Sequence, residues 1–261
     1  MPVAPAGIDA AYLPGRSAPV ARTRLYSGVV ADFPLPLPDP VLAARLAAAI
    51  DIDGKIPRTI DSLGSLRDRD VVLLDDVDGF RAAQLRALGA RLTLRPEASV
   101  DGLEPSSADA ILSFWGPLGQ PSDETAGRIE AAGRALRPGG RLLIVSDYGR
   151  DEVALLLPGG DDPPVYRALL RRDSWYLAAG FKLRVIHGWW SFETIDEARG
   201  LLEAGFGELG ATVAAGLRRP RLAHKMVVYH RTFGEPAASA QDAASTAGGD
   251  ANAPEDGALR G

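Results

Sequence analysis

The chain has 261 residues, 46% hydrophobic and 24% charged, which suits a folded protein with a buried core. With 29 basic against 34 acidic side chains, the net charge of −5 excludes a chain-wide basic field for nucleic acid. The absence of Cys excludes disulfides, thiolate nucleophiles and Cys-ligated metal centres, and three scattered His (His187, His224, His230) are too few for a histidine-rich metal site.

Residues 1–38 carry Pro2, Pro5, Pro14, Pro19 and a PLPLPDP run, lack any periodicity, and read as an extended arm. Asp39-Pro40 is a cap followed by Pro at the first helical position, opening a helix to about Ile50. Val71 to Leu74 is a short buried strand. Phe80 to Leu88, closed by Gly89, is a helix with a glycine stop. Arg91 to Leu94 and Ala110 to Phe114 are further strands. Arg128 to Leu136 belongs to a helix stopped by Pro138-Gly139-Gly140, and Leu142 to Val145 follows at once as a buried strand. Phe181 to His187 and Lys225 to His230 are two late strands. Between them Thr194-Ile195-Asp196-Glu197 is a capping box opening a helix to about Leu217. Residues 234–261 read as a disordered tail: Leu259 is the one large apolar side chain from Ala237 onward, and the net charge from Glu235 is −4.

This alternation, with strands apolar on both faces, predicts one α/β domain over residues 39–233 built on a doubly wound, mostly parallel sheet. The last two strands can add an antiparallel edge; the strand order stays open. No apolar run approaches the ~20 residues of a membrane helix and no leader pattern opens the chain, so a cytoplasmic protein is expected.

Ligands of open α/β sheets bind beyond the carboxyl ends of the strands. That selects the loops Asp75–Gly79, Arg95–Asp101, Trp115–Gly119 and Asp147–Asp151. The first holds one Gly and the carboxylates Asp75, Asp76 and Asp78, which repel a pyrophosphate and disfavour NAD, FAD and ATP; a ligand with cationic character suffers no such penalty. Alternatively, Asp78 is a helix cap and Asp75-Asp76 a solvated strand end. Trp115 is a stacking or cation–π surface, or core filler. Asp147 and Tyr148 are proton acceptors or hydrogen-bonding groups, or Asp147 caps a turn. His187 is a general base or a structural strand end. Trp175, Trp189 and Trp190 are core packing or a lid against the arm. Arg218, Arg219, Arg221 and Lys225 are phosphate contacts or charges placed near a helix C-terminus.

The order of these pieces resembles a class I S-adenosylmethionine-dependent methyltransferase over about Asp70 to Arg231. VVLLDDVDGFRAAQLRALGARLTL resembles that family's first strand, cofactor loop, helix and second strand. SADAILSFW resembles the fourth strand with its entering acidic residue, here Asp109. AAGRALRPGGRLLIVSDYGRDE resembles the segment running into the fifth strand, with LRPGG the most family-like string, and GFKLRVIHGWW with HKMVVYHR resembles the last two strands. The resemblance implies a Rossmann-like, seven-stranded sheet with an antiparallel last strand, S-adenosylmethionine as cofactor, and Asp75, Asp76, Gly79, Glu97, Asp101, Ser113 and Trp115 as cofactor-binding residues.

The departures are specific. The family's cofactor loop reads acidic-x-Gly-x-Gly-x-Gly; with Asp75 at the acidic position, Val77 and Arg81 replace the first and third Gly and intrude where the methionyl part of the cofactor lies. Pro96 replaces the acidic residue of the second strand, leaving Glu97 as a substitute, and the third strand is nearly absent. Asp101 is an acidic partner near the adenine or a turn residue before Gly102. The Asn/Asp-Pro-Pro-aromatic signature of amino-methylation is missing. Two functions follow: a methyltransferase of unknown acceptor, with a small molecule favoured over nucleic acid as partner, or a non-catalytic methyltransferase-like domain that binds or assembles.

Overall fold

The computed structural model describes residues 33–35, 37–74, 79–95, 99–157 and 171–234. The Asp75–Asp78 loop, Glu97, most of the N-terminal arm and the tail from Glu235 lie outside them.

Six strands pair into one sheet: β1 (Asp70–Leu74), β2 (Arg91–Arg95), β3 (Ala108–Phe114), β4 (Leu136–Asp147), β5 (Lys182–Ser191) and β6 (Arg221–Phe233). Their order is β2-β1-β3-β4-β6-β5. The first four are parallel, and β6 runs antiparallel between β4 and β5. The architecture is Rossmann-like, a mostly parallel sheet with the last strand reversed. Among the described residues the sheet has six strands, not the seven that the resemblance implies. Residues 99–107 turn at Asp101-Gly102 and lead directly into β3, with no span left for another strand.

Among the described residues six α-helices accompany the sheet: α1 (Pro40–Ala49), α2 (Lys55–Leu63), α3 (Phe80–Ala87), α4 (Asp123–Ala135), α5 (Trp175–Ala178) and α6 (Ile195–Ala215). Local chemistry sets their ends. Asp39 Oδ1 accepts the N–H groups of Val41 and Leu42 at the start of α1. At α6, Thr194 accepts the Glu197 N–H while Glu197 accepts the N–H of Glu193, so the predicted box forms with its return bond one residue early. Helix α6 kinks at Gly207 (φ 56°, ψ −130°).

Each face of the sheet carries its own core. Leu73, Leu112, Leu143, Val145, Ile186 and Val228 point toward α1, α2, α3 and α6, and this core takes in Phe33, Leu35 and Leu37, so the last residues of the predicted arm belong to the domain. Leu74, Ile111, Ile144, Val227 and Tyr229 point the other way, toward α4 and α5. No described helix is long and apolar enough to cross a membrane.

Three boundaries differ from expectation. Helix α2 is an element that the sequence reading does not contain: Pro57 sits in its first turn, and Ile56, Pro57 and Ile60 form its buried face. LRPGG is not a loop before β4 but its first residues. Leu136 pairs with Ala108 and Arg141 with Ala110, so Pro138-Gly139-Gly140 is looped out as a bulge, with Gly139 at φ 82°. Strand β5 continues through Gly188-Trp189-Trp190 because Ser191 through Lys182 all find partners on β6.

The amino ends of the parallel strands are tied by charge. Asp109 Oδ2 accepts the Asp70 N–H at 2.9 Å, Arg137 bridges Asp70 and Asp109 at 2.9 Å each, and Arg91 Nε meets Asp70 Oδ1 at 2.7 Å. Arg91, then Arg137, hold the Asp70 carboxyl below its ordinary value. A carboxyl depressed in the folded state contributes stability above its unfolded value of about 3.9, lost as pH falls through the folded value. Asp70→Asn should therefore be less stable than wild type in urea titrations near neutral pH, and the gap should close in acid below about pH 4. A gap that stays constant across that range contradicts this account.

Candidate functional site

Strand β4 ends at Asp147 on the face shared with α1, α2 and α6, and in β6 the inward-facing His224 stands two positions before Met226, the partner of Asp147. Between β3 and the next helix, Trp115 takes φ 49°, the left-handed region that crowds a β-carbon. That turn sends the indole across β4, where its Nε1–H donates to Asp147 Oδ1 at 2.9 Å. His224 Nε2 lies 3.0 Å from the same oxygen.

The tautomer of His224 follows from its other neighbour. Trp190 Nε1–H, which can only donate, points at His224 Nδ1 at 3.1 Å. Nδ1 accepts, so the ring hydrogen is on Nε2 and donates to Asp147. The result is a buried chain, Trp190 to His224 to Asp147, with Trp115 as a second donor on the last oxygen. His224 is 1% exposed and the Asp147 side chain 15%. Both ring nitrogens of His224 are engaged, so it orients Asp147 and has no free lone pair for general base work. Asp147 Oδ2 has no hydrogen-bond partner among the described residues.

The loop after β4 is stitched to β6. Tyr148 N–H donates to the Lys225 carbonyl at 2.9 Å, Asp151 accepts the N–H groups of Lys225 and Ala154, and Glu152 accepts that of Ala223. Burial pushes the Asp151 carboxyl above its usual range. Tyr148 packs on the opposite face, near Tyr229, so the Asp147–Tyr148 pair suggested by sequence is split across the sheet.

On the other side of Trp115 stands Arg81, in the first turn of α3, 1% exposed. Its guanidinium lies 5.6 Å from the Trp115 ring centre, donates to Gln84 Oε1 at 2.8 Å and reaches the Ile50 carbonyl at 3.4 Å. Nearby, Asp51 caps α2: its two oxygens accept the N–H groups of Lys55 (2.8 Å) and Ile56 (2.7 Å), and burial raises its carboxyl while Arg81 pulls it down.

The predicted site residues scatter. Gly79 is the cap residue of α3, without a side-chain bond to offer, and Trp115 joins the crest. Ser113 is fully buried within β3, opposite Leu74 of β1. Asp101 sits in an exposed turn, its N–H donated to Ser99 Oγ at 3.1 Å, with Gly102 at φ 71°. Asp75, Asp76 and Glu97 lie outside the described residues. His187 is an exposed residue of β5 whose carbonyl accepts Lys55 Nζ at 2.8 Å. Trp190 is core, and Trp189 carries the Arg221 guanidinium at 4.2 Å. His224 drew no attention in the sequence; its one signal is an inward position in the alternation Leu222, His224, Met226, Val228.

The described residues at this crest do not fit S-adenosylmethionine. Trp115 is already engaged on both sides, by the buried Arg81 guanidinium and by His224, stacked 16° from parallel. Among the described residues no cluster of His, Asp and Glu could hold a metal ion.

No model of a known protein family matches the sequence, and no curated protein matches it. Many solved structures share the chain path. A proposed type II methyltransferase of Anaeromyxobacter dehalogenans is 17% identical over 69% of this chain and 97% of its own, at a TM-score of 0.46. A proposed methyltransferase of Bacillus halodurans is 13% identical over 69% and 100%, at 0.40. Phosphoethanolamine N-methyltransferase 2 of Haemonchus contortus, solved with S-adenosyl-L-methionine, is 14% identical over 68% and 51%, at 0.39. Likeness at this level says nothing of chemistry.

Asp147→Ala removes the acceptor that, among the described residues, serves two buried donors, Trp115 Nε1–H and His224 Nε2–H. At about 1–3 kcal/mol per stranded group, the two together should cost the variant about 2–6 kcal/mol in urea unfolding. A loss within ordinary surface scatter would show that the chain of bonds is not what holds the crest.

Proposed function

We propose that this chain is a methyltransferase-like domain that has given up the methyl donor and serves as a binding or assembly module. One observation carries the reading: the buried Arg81 guanidinium, packed on Trp115 and directed at the Ile50 carbonyl. A ligand group brought onto the Trp115 ring must displace the arginine from that ring and from its bonds to Gln84 and Ile50. The replacement of glycine by Val77 and Arg81 in the sequence agrees with this.

A second reading, a methyltransferase acting on a small molecule, is favoured by Asp147 alone. Its Oδ2 has no partner among the described residues and stands at the carboxyl end of β4, where a proton acceptor for an incoming nucleophile belongs.

Calorimetric titration of the full chain with S-adenosylmethionine and S-adenosylhomocysteine separates the two. The expected result is no heat from either compound at high protein concentration. Saturable binding of the homocysteine product in the micromolar range would overturn the first reading and establish the second.

A further inference from the structure

Strand β5 is an edge of the sheet, and α2 lies beside it. Between them runs a groove of about 290 Å³, lined on the helix side by Lys55, Arg58, Thr59 and Ser62 and on the strand side by Arg184 and the Val185–His187 backbone. The strand register extends its charge. Lys182, Arg184 and Ile186 share one face of β5; Lys182 lies opposite His230 of β6, which itself lies opposite Leu143 of β4, two residues from Arg141 on that same face. The Arg141 guanidinium rests against Gly64 at the end of α2, so close that a β-carbon there would collide with it. Burial first, then the charges of Arg141 and Lys182, push the His230 imidazole below its ordinary value, as expected where cations crowd without a counter-charge.

No carboxylate lines the groove. Asp61, on the same helix, turns away to accept the Leu66 N–H, and Asp51 is consumed in capping α2. Arg58, Arg141, Lys182 and Arg184 form no ion pair among the described residues, in contrast to Arg91 and Arg137 at the amino ends of the parallel strands. The backbone adds donors. Lys55 Nζ bonds the His187 carbonyl, so His187 turns its main chain away from β6; Val185, two residues earlier, turns its N–H outward in the same way.

We propose that this groove binds a small ligand bearing two or more phosphate groups. The donors and cations suit phosphate oxygens, and guanidinium groups match them in bidentate pairs. Helix α2 runs about 13 Å, and Lys182 to His187 about 17 Å. Charge spread over that length calls for several phosphates rather than one. The volume suits a small molecule, and a chain of net charge −5 repels a long polyanion away from the groove. The site is separate from the crest and stands whether or not a methyl donor binds there.

Calorimetry of the full chain with sodium tripolyphosphate at low ionic strength tests this, with glycerol phosphate and a short DNA strand as comparators. Tripolyphosphate should bind, glycerol phosphate should bind far more weakly, and DNA should not surpass tripolyphosphate. The double variant Arg58→Ala/Arg184→Ala should weaken tripolyphosphate at least about tenfold, and Lys182→Ala should weaken it less. Both arginines are exposed, so the thermal midpoint should hold, and Arg134→Ala on α4 should leave binding unchanged. Absence of tripolyphosphate binding, equal binding by the double variant, equal affinity for glycerol phosphate, or tighter binding of DNA would each overturn the proposal.

Discussion

One carboxylate oxygen, Asp147 Oδ1, receives two N–H groups inside the protein, and the carboxyl edge of the sheet is arranged around that requirement. A buried donor without an acceptor costs as much as a lost core side chain, so each group in the chain dictates the next. Trp115 holds a left-handed backbone to reach Asp147. His224 keeps its hydrogen on Nε2 because Trp190 claims Nδ1. Trp190 in turn needs β5 to run past Gly188, where any side chain would strike Met226, and it is sealed by Phe33 at 5.3 Å and Phe206 at 6.4 Å. The crest is thus a structural polar core at the place where related architectures keep a ligand.

Charge is handled differently in three places. At the amino ends of the parallel strands, Asp70 and Asp109 neutralise Arg91 and Arg137, tying four strands together without burying any charge. At the crest, Arg81 is buried, bonded to the Gln84 amide oxygen and the Ile50 carbonyl and packed near the Trp115 ring. Along α2 and β5, cations line a groove that holds no carboxylate, with Asp51 at the start of α2 acting on Arg58. The first is a matter of stability. The second fills the crest, and the third lines an exposed groove.

Most of the elements were legible because they rest on local chemistry. Asp39-Pro40, Gly89 and the Thr194–Glu197 box mark helix ends through bonds made within four residues. The buried strands Val71–Leu74 and Leu142–Val145 are apolar on both faces because helices cover both. Helix α2 was not legible: its stability comes from Asp51, held at φ 58° by surrounding structure, and from Ile56 and Ile60 meeting the sheet. The Pro and Gly of LRPGG follow the end of α4 at Ala135, as the sequence indicates, but they also form a bulge within β4 that no local pattern distinguishes from a turn. Trp115 was legible as a crest residue but not its engagement with Asp147, and the burial of Arg81 was not legible.

Alternating polarity and helix caps are properties of neighbouring residues, and from them the α/β class and the reversed late strand could be anticipated. Strand order, the Trp190–His224–Asp147 chain and the basic groove arise only on folding. Their bonds join residues 34, 77 and 132 positions apart, and no pattern within a window of the chain encodes such distances. Which polar residue ends up buried, and which partner it must then accept, is decided by the packing of two cores against one sheet.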